Sequence, residues 1–417
     1  MEIQFLGGAG EVGRSSILID GKKKILLDNG IKIDHIAEYP IRTPMVDALI
    51  LSHAHLDHSG FSPALYFTSN SPVAFGTEPT LELGEMLIED SMKIARKEKL
   101  VQRFFKKQLS MFEKHYVPLA YGKQINFAEY NISLHDAGHI TGSAISAIED
   151  QHSGRRIVYT GDFKSSPQLL HNGAETVKGD ILITESTYAN KEHSDREEIT
   201  KRLVEEIKDT IDNDGTALLP VFAIGRGQEV LALLEKNGLT DRAFLDGMVV
   251  RATETVLQHK SFISNPKLLE SGMSHACIVR DRRERADALQ PGNIILTTAG
   301  MLNGGPILDY IKKADANSKI FLTGYQVEGT NGRKILEGRP LTIDNRKYRP
   351  KMPVSLYDMS AHAGNSDLLS YIKESGAEKI ICVHGEHENS LRFVEKLKEE
   401  GFDASAPRVG ESLEVDL

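Results

Sequence analysis

Four side chains that can bind a metal ion lie within the six-residue segment His53-Ala54-His55-Leu56-Asp57-His58. A short, mostly apolar run over residues 47–52 precedes them, which predicts a strand that delivers these side chains into a loop. Imidazole nitrogens and carboxylate oxygens are the groups that bind zinc where thiolates are absent. A catalytic zinc keeps one position open for water, so four ligands at one point fit two ions better than one. The alternative interpretation is a solvated polar loop.

Two metal ions need further ligands, and we looked for them beside glycines that follow predicted strands. His139, Asp162 and His384 meet this description. Each alone is a weak signal, because a single histidine beside glycine is about as often structural. A carboxylate such as Asp162 can bridge two cations. Other histidines lack such a context, and we interpret them as surface residues: His35, His115, His152, His171 and His259.

A glycine-rich sequence near the N-terminus resembles a dinucleotide-binding fingerprint. Residues 8–13 are Gly-Ala-Gly-Glu-Val-Gly, and Asp28 follows at the distance of a ribose-binding acid. That fingerprint requires a helix after the glycines, whose N-terminus meets the pyrophosphate. Residues 14–20 are instead rich in strand-forming residues and end at an Asp-Gly turn. We therefore predict a tight turn between strands and no nucleotide cofactor.

The overall composition is that of a globular enzyme. The 417 residues are 40% hydrophobic and 26% charged, and the formal net charge is −9. No apolar run reaches the roughly 18 residues of a membrane-spanning helix, and the first residues lack the basic start of a signal peptide. The two cysteines, Cys277 and Cys382, are far apart, which excludes a disulfide framework and a thiolate zinc site. We expect a cytoplasmic protein that has no membrane contact and does not coat nucleic acid through bulk positive charge.

The pattern of predicted elements changes once along the chain. Short strands with tight turns and a polar helical stretch over 80–112 indicate sheets flanked by helices in the first part. Beyond a charged helix over 196–212, strands alternate with helices, which is typical of a parallel sheet. Residues 341–352 are basic and irregular, and a strand signal returns at 354–357. The predicted fold class is therefore α/β, with an inserted domain rather than domains joined by long linkers.

The order of these motifs resembles the metallo-β-lactamase superfamily and, within it, the β-CASP family. The resemblance covers nearly the whole chain and is strongest to the short archaeal and bacterial polyadenylation-factor-type nucleases, which are related to RNase J. The matching residues in chain order are Asp28, His53, His55, Asp57, His58, His139, Asp162, Glu185, His362 and His384. The resemblance implies an αββα sandwich formed by residues 1–194 and 353–417. Residues 195–352 would form the inserted β-CASP domain around a parallel sheet.

The resemblance also implies a centre of two zinc ions. Two sets of three ligands follow from the matched motifs: His53, His55 and His139 for one ion, and Asp57, His58 and His384 for the other. Asp162 would bridge the two ions. Asp28 would lie behind the ligands and hydrogen-bond to one of the histidines.

The activity implied by the resemblance is hydrolysis of RNA phosphodiester bonds, either internally, from the 5′ end, or both. Hydroxide activated at the metals would attack phosphorus and leave a 5′-phosphate and a 3′-hydroxyl, with Asp57 and Asp162 as the metal-binding members of the catalytic set. His362, oriented by Glu185, would give a proton to the leaving oxygen. His384 favours RNA over DNA, because DNA-directed members of the family typically carry an apolar residue at that motif.

Two other functions stay open at this point. One is a DNA-directed nuclease of the same family. The other is a catalytically silent RNA-binding subunit of a processing complex, although such subunits have lost ligands that are all present here. The resemblance implies RNA as the partner, and relatives raise the expectation of a homodimer.

RNA contacts are expected in two basic stretches. Residues 93–107 contain seven Lys or Arg against one Glu, and residues 333–351 contain seven against one Glu and one Asp. Either stretch is a solvated face in the alternative interpretation, but the second lies in the inserted domain and suits phosphate binding. The candidate substrate-binding residues are Ser360, Thr330 and Arg333. Three aromatic residues are candidates for base stacking, although such residues are more often in the core: Phe321, Tyr325 and Tyr348.

Overall fold

The structure, a computed structural model, describes residues 1–33, 37–67 and 71–416. The chain divides into two compact units. Unit 1 comprises Met1–Pro167, Gly173–Glu192 and Ala361–Leu417, whereas unit 2 comprises Gln168–Asn172 and His193–Ser360. Unit 2 is thus inserted between parts of unit 1 along the sequence, and it also takes up the short segment Gln168–Asn172.

The limits of unit 2 differ from the predicted domain limits of 195 and 352. Unit 2 starts its long segment at His193 and ends it at Ser360. The later end has a physical cause, because the strand Val354–Leu356 pairs in parallel with Lys319–Leu322 of unit 2. The backbone hydrogen bonds of this pairing keep residues 354–356 in the sheet of unit 2, although the predicted limit of 352 assigned them to the other domain.

The strands are numbered in chain order over the described residues. In unit 1 they begin with β1 (Glu2–Gly7), β2 (Ser16–Asp20), β3 (Lys24–Leu27), β4 (Lys32–Ile33), β5 (Ala37–Glu38), β6 (Ala48–Ile50), β7 (Val73–Gly76), β8 (Tyr116–Pro118), β9 (Gln124–Phe127), β10 (Tyr130–Asp136), β11 (Ala144–Asp150), β12 (Arg156–Tyr159) and β13 (Ile181–Glu185). Unit 2 contains β14 (Ala217–Pro220), β15 (Ala243–Asp246), β16 (Cys277–Ile278), β17 (Ile294–Thr297), β18 (Lys319–Leu322), β19 (Leu341–Ile343), β20 (Arg346–Tyr348) and β21 (Val354–Leu356). Unit 1 ends with β22 (Lys379–Val383), β23 (Asp403–Ser405) and β24 (Ser412–Glu414).

The helices follow the same numbering. Those of the first part of unit 1 are α1 (Leu56–Ser59), α2 (Glu78–Lys97) and α3 (Lys106–Lys114). Those of unit 2 are α4 (Arg196–Asp212), α5 (Arg226–Lys236), α6 (Met248–Gln258), α7 (Pro266–His275), α8 (Arg282–Ala288), α9 (Ile307–Lys313) and α10 (Asn331–Leu336). Unit 1 resumes with α11 (Asn365–Ser375) and α12 (His387–Glu399), and single 3-10 turns occur at Ser62–Tyr66, Thr240–Arg242 and Lys260–Phe262.

Two seven-stranded sheets pack face to face in unit 1. The first has the order β24-β1-β2-β3-β6-β7-β8, and the second the order β23-β22-β13-β12-β11-β10-β9. Their inner faces share one core, in which Ile19 and Ile50 of the first sheet join Ile132 and Ile183 of the second. Burying each such side chain stabilises the fold by about 1.5–3 kcal/mol.

Helices cover the outer face of each sheet. On the first sheet, Ile88 of α2 and Phe112 of α3 pack in a common cluster with strand residues. On the second sheet, Tyr371 of α11 and Phe393 of α12 do the same. The resulting αββα layering confirms the predicted fold class.

Unit 2 is built on a parallel sheet with the strand order β16-β15-β17-β14-β18-β21. Strands β14 and β17 are buried along their whole length, as expected of a parallel sheet covered on both faces. This agrees with the strand and helix alternation in the sequence. Among the described residues, no helix combines the length and apolarity that crossing a bilayer requires.

Two of the histidines that we expected at the surface are buried, so that expectation was wrong for them. His171 is only 3% exposed because its segment, Gln168–Asn172, is taken up by unit 2. His259 follows α6, and its ring contacts Phe262. Both environments are created by tertiary packing, which leaves no local sequence signal. His152 is exposed, His115 is half-buried, and His35 lies outside the described residues.

Candidate metal centre

The predicted ligands of unit 1 lie in loops that follow strands, except for Asp57 and His58, which lie in the short helix α1 after β6. The segment 53–58 comes after β6 and enters α1, while His139 follows β10. Asp162 follows β12 and His384 follows β22; these two strands flank β13 in a parallel arrangement. Asp28 follows β3, which is parallel to β6. Since the carboxyl ends of parallel strands meet at the same edge of a sheet, these loops bring distant parts of the sequence together.

The ligand atoms converge within 4.8 Å of one another in four overlapping groups. These groups are His53, His55 and His139; His53, His58 and Asp162; Asp57, His58 and His384; and His139, Asp162 and His362. Every residue predicted to bind metal belongs to at least one group. The last group adds His362, which the sequence interpretation did not include among the ligands.

Asp162 lies between two sets of side chains and faces each with a different oxygen. Its Oδ1 atom is 2.6 Å from Nδ1 of His384 and 3.4 Å from Nε2 of His58. Its Oδ2 atom is 3.7 Å from Nε2 of His53 and 3.9 Å from Nε2 of His139. The carboxylate is 3% exposed. A buried carboxylate with this placement can neutralise two cations at once.

Asp28 supports the centre from behind. It is fully buried, and its Oδ2 atom accepts hydrogen bonds from Nδ1 of His58, Oγ of Ser52 and the hydroxyl of Tyr159, each at 2.7 Å. Its Oδ1 atom accepts the backbone N–H of Ser52 at 2.7 Å. Because Nδ1 of His58 donates to Asp28, Nε2 is the nitrogen of that ring that a cation could bind, and it lies 3.2 Å from Nδ1 of His384. A carboxylate in this position fixes the tautomer of a metal-binding histidine.

Two further contacts orient histidines of the centre. His139 donates from Nδ1 to the backbone carbonyl of Ala361 at 2.8 Å, which leaves its Nε2 atom for a cation. His53 places Nδ1 3.1 Å from the hydroxyl of Ser52 and Nε2 3.1 Å from Nδ1 of His55. These contacts determine which nitrogen of each ring faces the space between the candidate ligands.

Burial and charge set the protonation of the cluster. Burial holds the pKa of His53 and of His139 well below its ordinary value, so both rings are neutral near pH 7. Burial opposes charge on His58 as well, but the carboxylates of Asp162 and Asp28 outweigh it and raise the pKa of His58. Burial likewise opposes the charge of Asp162, yet the imidazoles of His384 and His58 hold its pKa well below its usual range. The aspartate is therefore anionic, as a metal ligand must be.

The donor set fits divalent cations. Imidazole nitrogens face one another at 3.1–3.4 Å without a carbonyl or hydroxyl between them. The Nε2 atom of His384 is buried and has no hydrogen-bond partner among the described residues, although Oδ2 of Asp57 lies 3.5 Å away. A buried polar atom left without a partner costs about 1–3 kcal/mol. Cations that accept these lone pairs would remove that cost.

His362 and Glu185 form a pair beside the cluster. Nδ1 of His362 lies 2.9 Å from Oε2 and 3.2 Å from Oε1 of Glu185. Oε1 also accepts the backbone N–H of Phe163 at 2.8 Å, so Glu185 ties His362 to the loop that carries Asp162. Burial lowers the pKa of His362, but the carboxylates of Glu185 and Asp162 outweigh this effect and raise it above its ordinary value.

His362 is also one of the accessible members of the group. Its side chain is 24% exposed and that of Asp57 is 34% exposed, whereas those of His53, His139, Asp162 and His384 are at most 3% exposed. A histidine that is hydrogen-bonded at one nitrogen and partly open to solvent is suited to proton transfer.

The three candidate substrate-binding residues lie in unit 2. Thr330 caps α10 by accepting the backbone N–H of Arg333 at 3.2 Å, and Arg333 forms an ion pair with Glu337 at 2.7 Å. Ser360 accepts a hydrogen bond from Arg196 at its backbone carbonyl, at 3.2 Å. Of the aromatic candidates, Phe321 is buried, Tyr348 is half-buried and Tyr325 is 57% exposed.

Sequence interpretation missed two residues that support the centre, Ser52 and Tyr159. Both donate to Asp28. Tyr159 ends a strand of apolar residues and is indistinguishable by pattern from a core aromatic residue. Ser52 precedes the histidine segment but has no ligand chemistry of its own. Only the convergence of β3, β6 and β12 reveals their role.

Family models match successive parts of the chain. A metallo-beta-lactamase superfamily domain matches residues 17–188, and a Beta-Casp domain matches residues 228–335. A Zn-dependent metallo-hydrolase RNA specificity domain matches residues 348–407. The first and third matches cover loops that carry the candidate metal centre.

Curated relatives are similar over most of their length. Probable RNase MJ4 of Methanocaldococcus jannaschii is 37% identical, with 100% of both chains covered. RNase aCSPSF2 of Saccharolobus solfataricus is 31% identical over 99% of this chain and 85% of its own. Transcription termination factor FttA of Methanocaldococcus jannaschii is 33% identical over 95% of this chain and 69% of its own.

The fold also occurs in a solved structure. A crystal structure of a protein of unknown function from Enterococcus faecalis V583 matches with a TM-score of 0.64 and 15% identity, over 99% of each chain. At that identity the likeness concerns the fold alone. The family models and the full-length relatives show more: the chain belongs to the β-CASP family of the metallo-β-lactamase superfamily.

Proposed function

We propose that the protein is a metal-dependent ribonuclease that hydrolyses RNA phosphodiester bonds and leaves a 5′-phosphate and a 3′-hydroxyl. The observation that carries this proposal is the position of Asp162, whose two oxygens face two separate sets of ligand side chains. Relatives named as RNases, at 37% and 31% identity over nearly the whole chain, support RNA as the substrate. A histidine at position 384 supports RNA over DNA.

We infer that the centre holds two zinc ions. His53, His55 and His139 would bind one ion, and Asp57, His58 and His384 the other, with Asp162 bridging. Imidazole and carboxylate are the donors that zinc takes where thiolates are absent. When bound, such cations supply Lewis acidity, which lowers the pKa of water to about 7 and neutralises charge on the phosphate.

His362 and Glu185 provide the proton for the leaving group. Glu185 keeps a proton on Nδ1 of His362 and stabilises the charged ring, so that Nε2 can give its proton to the departing 3′ oxygen. The raised pKa of His362 supports this role because the ring is more often protonated. A positioned general acid contributes about 100- to 10,000-fold to such a reaction.

RNA is the proposed partner, with Ser360, Thr330 and Arg333 of unit 2 as proposed contacts. Arg333 and the hydroxyls of the other two residues are of the kinds that bind phosphate oxygens. We also propose that the protein works in the cytoplasm, which agrees with its isolated cysteines. A homodimer stays a prediction that rests on the family resemblance.

The experiment that tests the proposed function combines metal analysis with cleavage of labelled RNA. We expect two zinc ions per chain and cleavage of 5′-labelled and 3′-labelled RNA, compared for 5′-monophosphate and 5′-triphosphate ends. Early mononucleotides from the 5′ label would indicate an exonuclease, and intermediate fragments an endonuclease. Asp162→Asn is the control for contaminating nucleases. A zinc-loaded protein that binds RNA but leaves it intact would instead be a silent subunit, and one that cuts only DNA would also refute the proposal.

A further inference from the structure

A segment of unit 2 concentrates exposed positive charge in a chain whose net charge is −9. We call residues 341–351 the cationic hairpin; it comprises β19, the two turn residues Asp344 and Asn345, β20 and the three residues after β20. Four of its eleven residues are exposed cations: Arg346, Lys347, Arg349 and Lys351. We propose that the cationic hairpin is a binding site for the phosphate backbone of single-stranded RNA. This inference rests on the proposed function for its substrate, and it adds a site that does no chemistry.

The hairpin is anchored rather than loose. Leu341 and Ile343 are at most 4% exposed and belong to the core of unit 2. Tyr348 donates its hydroxyl hydrogen to the carbonyl of Ile311 at 3.1 Å. The buried side chain of Asn331 makes two hydrogen bonds with the backbone of Thr342 in β19. It donates to the carbonyl at 2.9 Å and accepts the N–H at 2.8 Å. A fixed backbone reduces the entropy that is lost when a ligand orders the site.

The acidic residues nearby are engaged by other cations. Asp344 at the turn pairs with Lys312 at 2.8 Å. Glu337, which precedes the hairpin, pairs with Arg333 at 2.7 Å and with Arg339 at 3.1 Å. Within the hairpin itself, four exposed cations stand against one acidic residue, Asp344. An excess of positive surface charge attracts polyanions through release of their counterions.

The spacing of the cations suits a phosphate backbone. Lys347 pairs with the exposed Thr342 in the hairpin register, so its side chain points away from the buried face that Leu341 forms. Arg349 precedes a proline, which favours extended backbone. Alternate residues of an extended chain share a face at about 6.5–7 Å, so an extended Arg349 presents its charge on the same side as Lys347. The exposed Lys351 lies two residues further on, where the chain bends, and these three cations can contact successive phosphates.

The hairpin also lies largely outside the matched family models. The Beta-Casp match ends at residue 335, and the RNA specificity match begins at residue 348. Residues 336–347 thus belong to neither. Arg346 and Lys347 therefore lie outside both models, whereas Arg349 and Lys351 lie within the RNA specificity match.

The test measures RNA binding separately from cleavage. Binding of a fluorescent, unstructured RNA is followed by anisotropy in the full-length His362→Ala background, whose cleavage should be about 100- to 10,000-fold slower, over about 50 to 200 mM salt. The triple variant Lys347→Gln/Arg349→Gln/Lys351→Gln should lower the slope of log affinity against log salt by about 2, at roughly 0.7 per lost phosphate contact. A single-stranded DNA of the same sequence should show the same change, because the contacts are to phosphates.

A matched pair of variants keeps the test independent of folding. Lys347→Gln/Arg349→Gln removes two charges from the hairpin, and Arg282→Gln/Arg283→Gln removes two exposed charges from α8 of the same unit. The hairpin pair should lose about 1.4 of the slope and the α8 pair little. Equal losses from both pairs, or an unchanged slope in the hairpin variants, would overturn the inference.

The outcome for the proposed function is read separately. Wild-type protein that cuts RNA, combined with hairpin variants that bind normally, would refute the hairpin site alone. Wild-type protein that never cuts RNA, combined with a hairpin-dependent slope, would refute the ribonuclease and leave the polyanion site standing.

Discussion

The candidate metal centre and the cationic hairpin hold charge in opposite ways. In the centre, Asp162 and its histidines are buried, and each depends on partners at fixed distances. In the hairpin, Arg346 and Lys347 are exposed, and neither needs the other. Buried charges interact strongly and lose a great deal when one partner is removed, whereas exposed charges are screened and act nearly independently. Single substitutions should therefore be severe in the centre and small, additive and salt-dependent in the hairpin.

The largest effect is expected from Asp162→Asn. The substitution removes the one carboxylate that faces both ligand sets, so metal content and RNA cleavage should fall together. The loss of activity should exceed the roughly 100-fold upper value for residues that merely support ligands. Mass spectrometry for zinc and a cleavage assay measure both. The exposed Asp212→Asn serves as the control, and an Asp162→Asn protein that kept both metals would break the comparison.

The next effect is expected from His362→Ala. The side chain of His362 is partly exposed to solvent. The substitution should nevertheless lower cleavage by about 100- to 10,000-fold, because His362 would supply the leaving-group proton. Metal content should stay unchanged. Geometry permits another outcome, since His362 also lies within ligand distance of His139 and Asp162. Loss of an ion in this variant would make His362 a ligand.

A smaller effect is expected from Asp28→Asn. Asp28 adopts a left-handed backbone conformation with φ 56°, which asparagine tolerates, so the backbone should be kept. The new amide can no longer accept from His58, Ser52 and Tyr159 together, and zinc affinity should fall about 10- to 100-fold. Competition with a zinc-binding dye measures the affinity. Zinc affinity should fall less in Tyr159→Phe, which removes a single donor to Asp28. A zinc affinity equal to wild type in Asp28→Asn would contradict the supporting role of Asp28.

The smallest effect concerns Glu113, a half-buried acid beside two other acids. Burial and the neighbouring Glu85 and Glu89 raise the pKa of Glu113 to about 7. The folded protein thus holds a proton that the unfolded chain releases above its ordinary pKa of 4.5. The stability from that proton is present at low pH and is lost as pH rises through about 7. Glu113→Gln should therefore raise the melting temperature at pH 8 and change it little at pH 4. Calorimetry tests this, with the exposed Glu395→Gln as a control; equal shifts at both pH values would contradict it.

Most of the chemistry could be predicted from the sequence, because it depends on residue type and order. The candidate ligands of the segment 53–58 are recognisable from the local sequence alone, and Asp162 and His384 follow strands as expected. What supports them could not be predicted in the same way. Tyr159 and Ser52 have ordinary local patterns, and only the meeting of three strands gives them a common partner in Asp28.

The fold was predictable to the same degree and for the same reason. Alternation of strands and helices indicated the parallel sheet of unit 2. The pairing of β21 with β18 was not predictable, since a short strand carries no information about its neighbour. His171 is a similar case, because its burial depends on a five-residue segment, Gln168–Asn172, that joins unit 2.

The late position of His384 has a consequence for protein synthesis. This candidate ligand follows β22, which joins the second sheet by pairing with β13. Until residue 384 has left the ribosome, a growing chain lacks one side chain of the candidate metal centre, even if its earlier segments have already folded. If the protein is the ribonuclease proposed here, a nascent chain should leave the messenger RNA from which it is being translated intact until residue 384 has emerged.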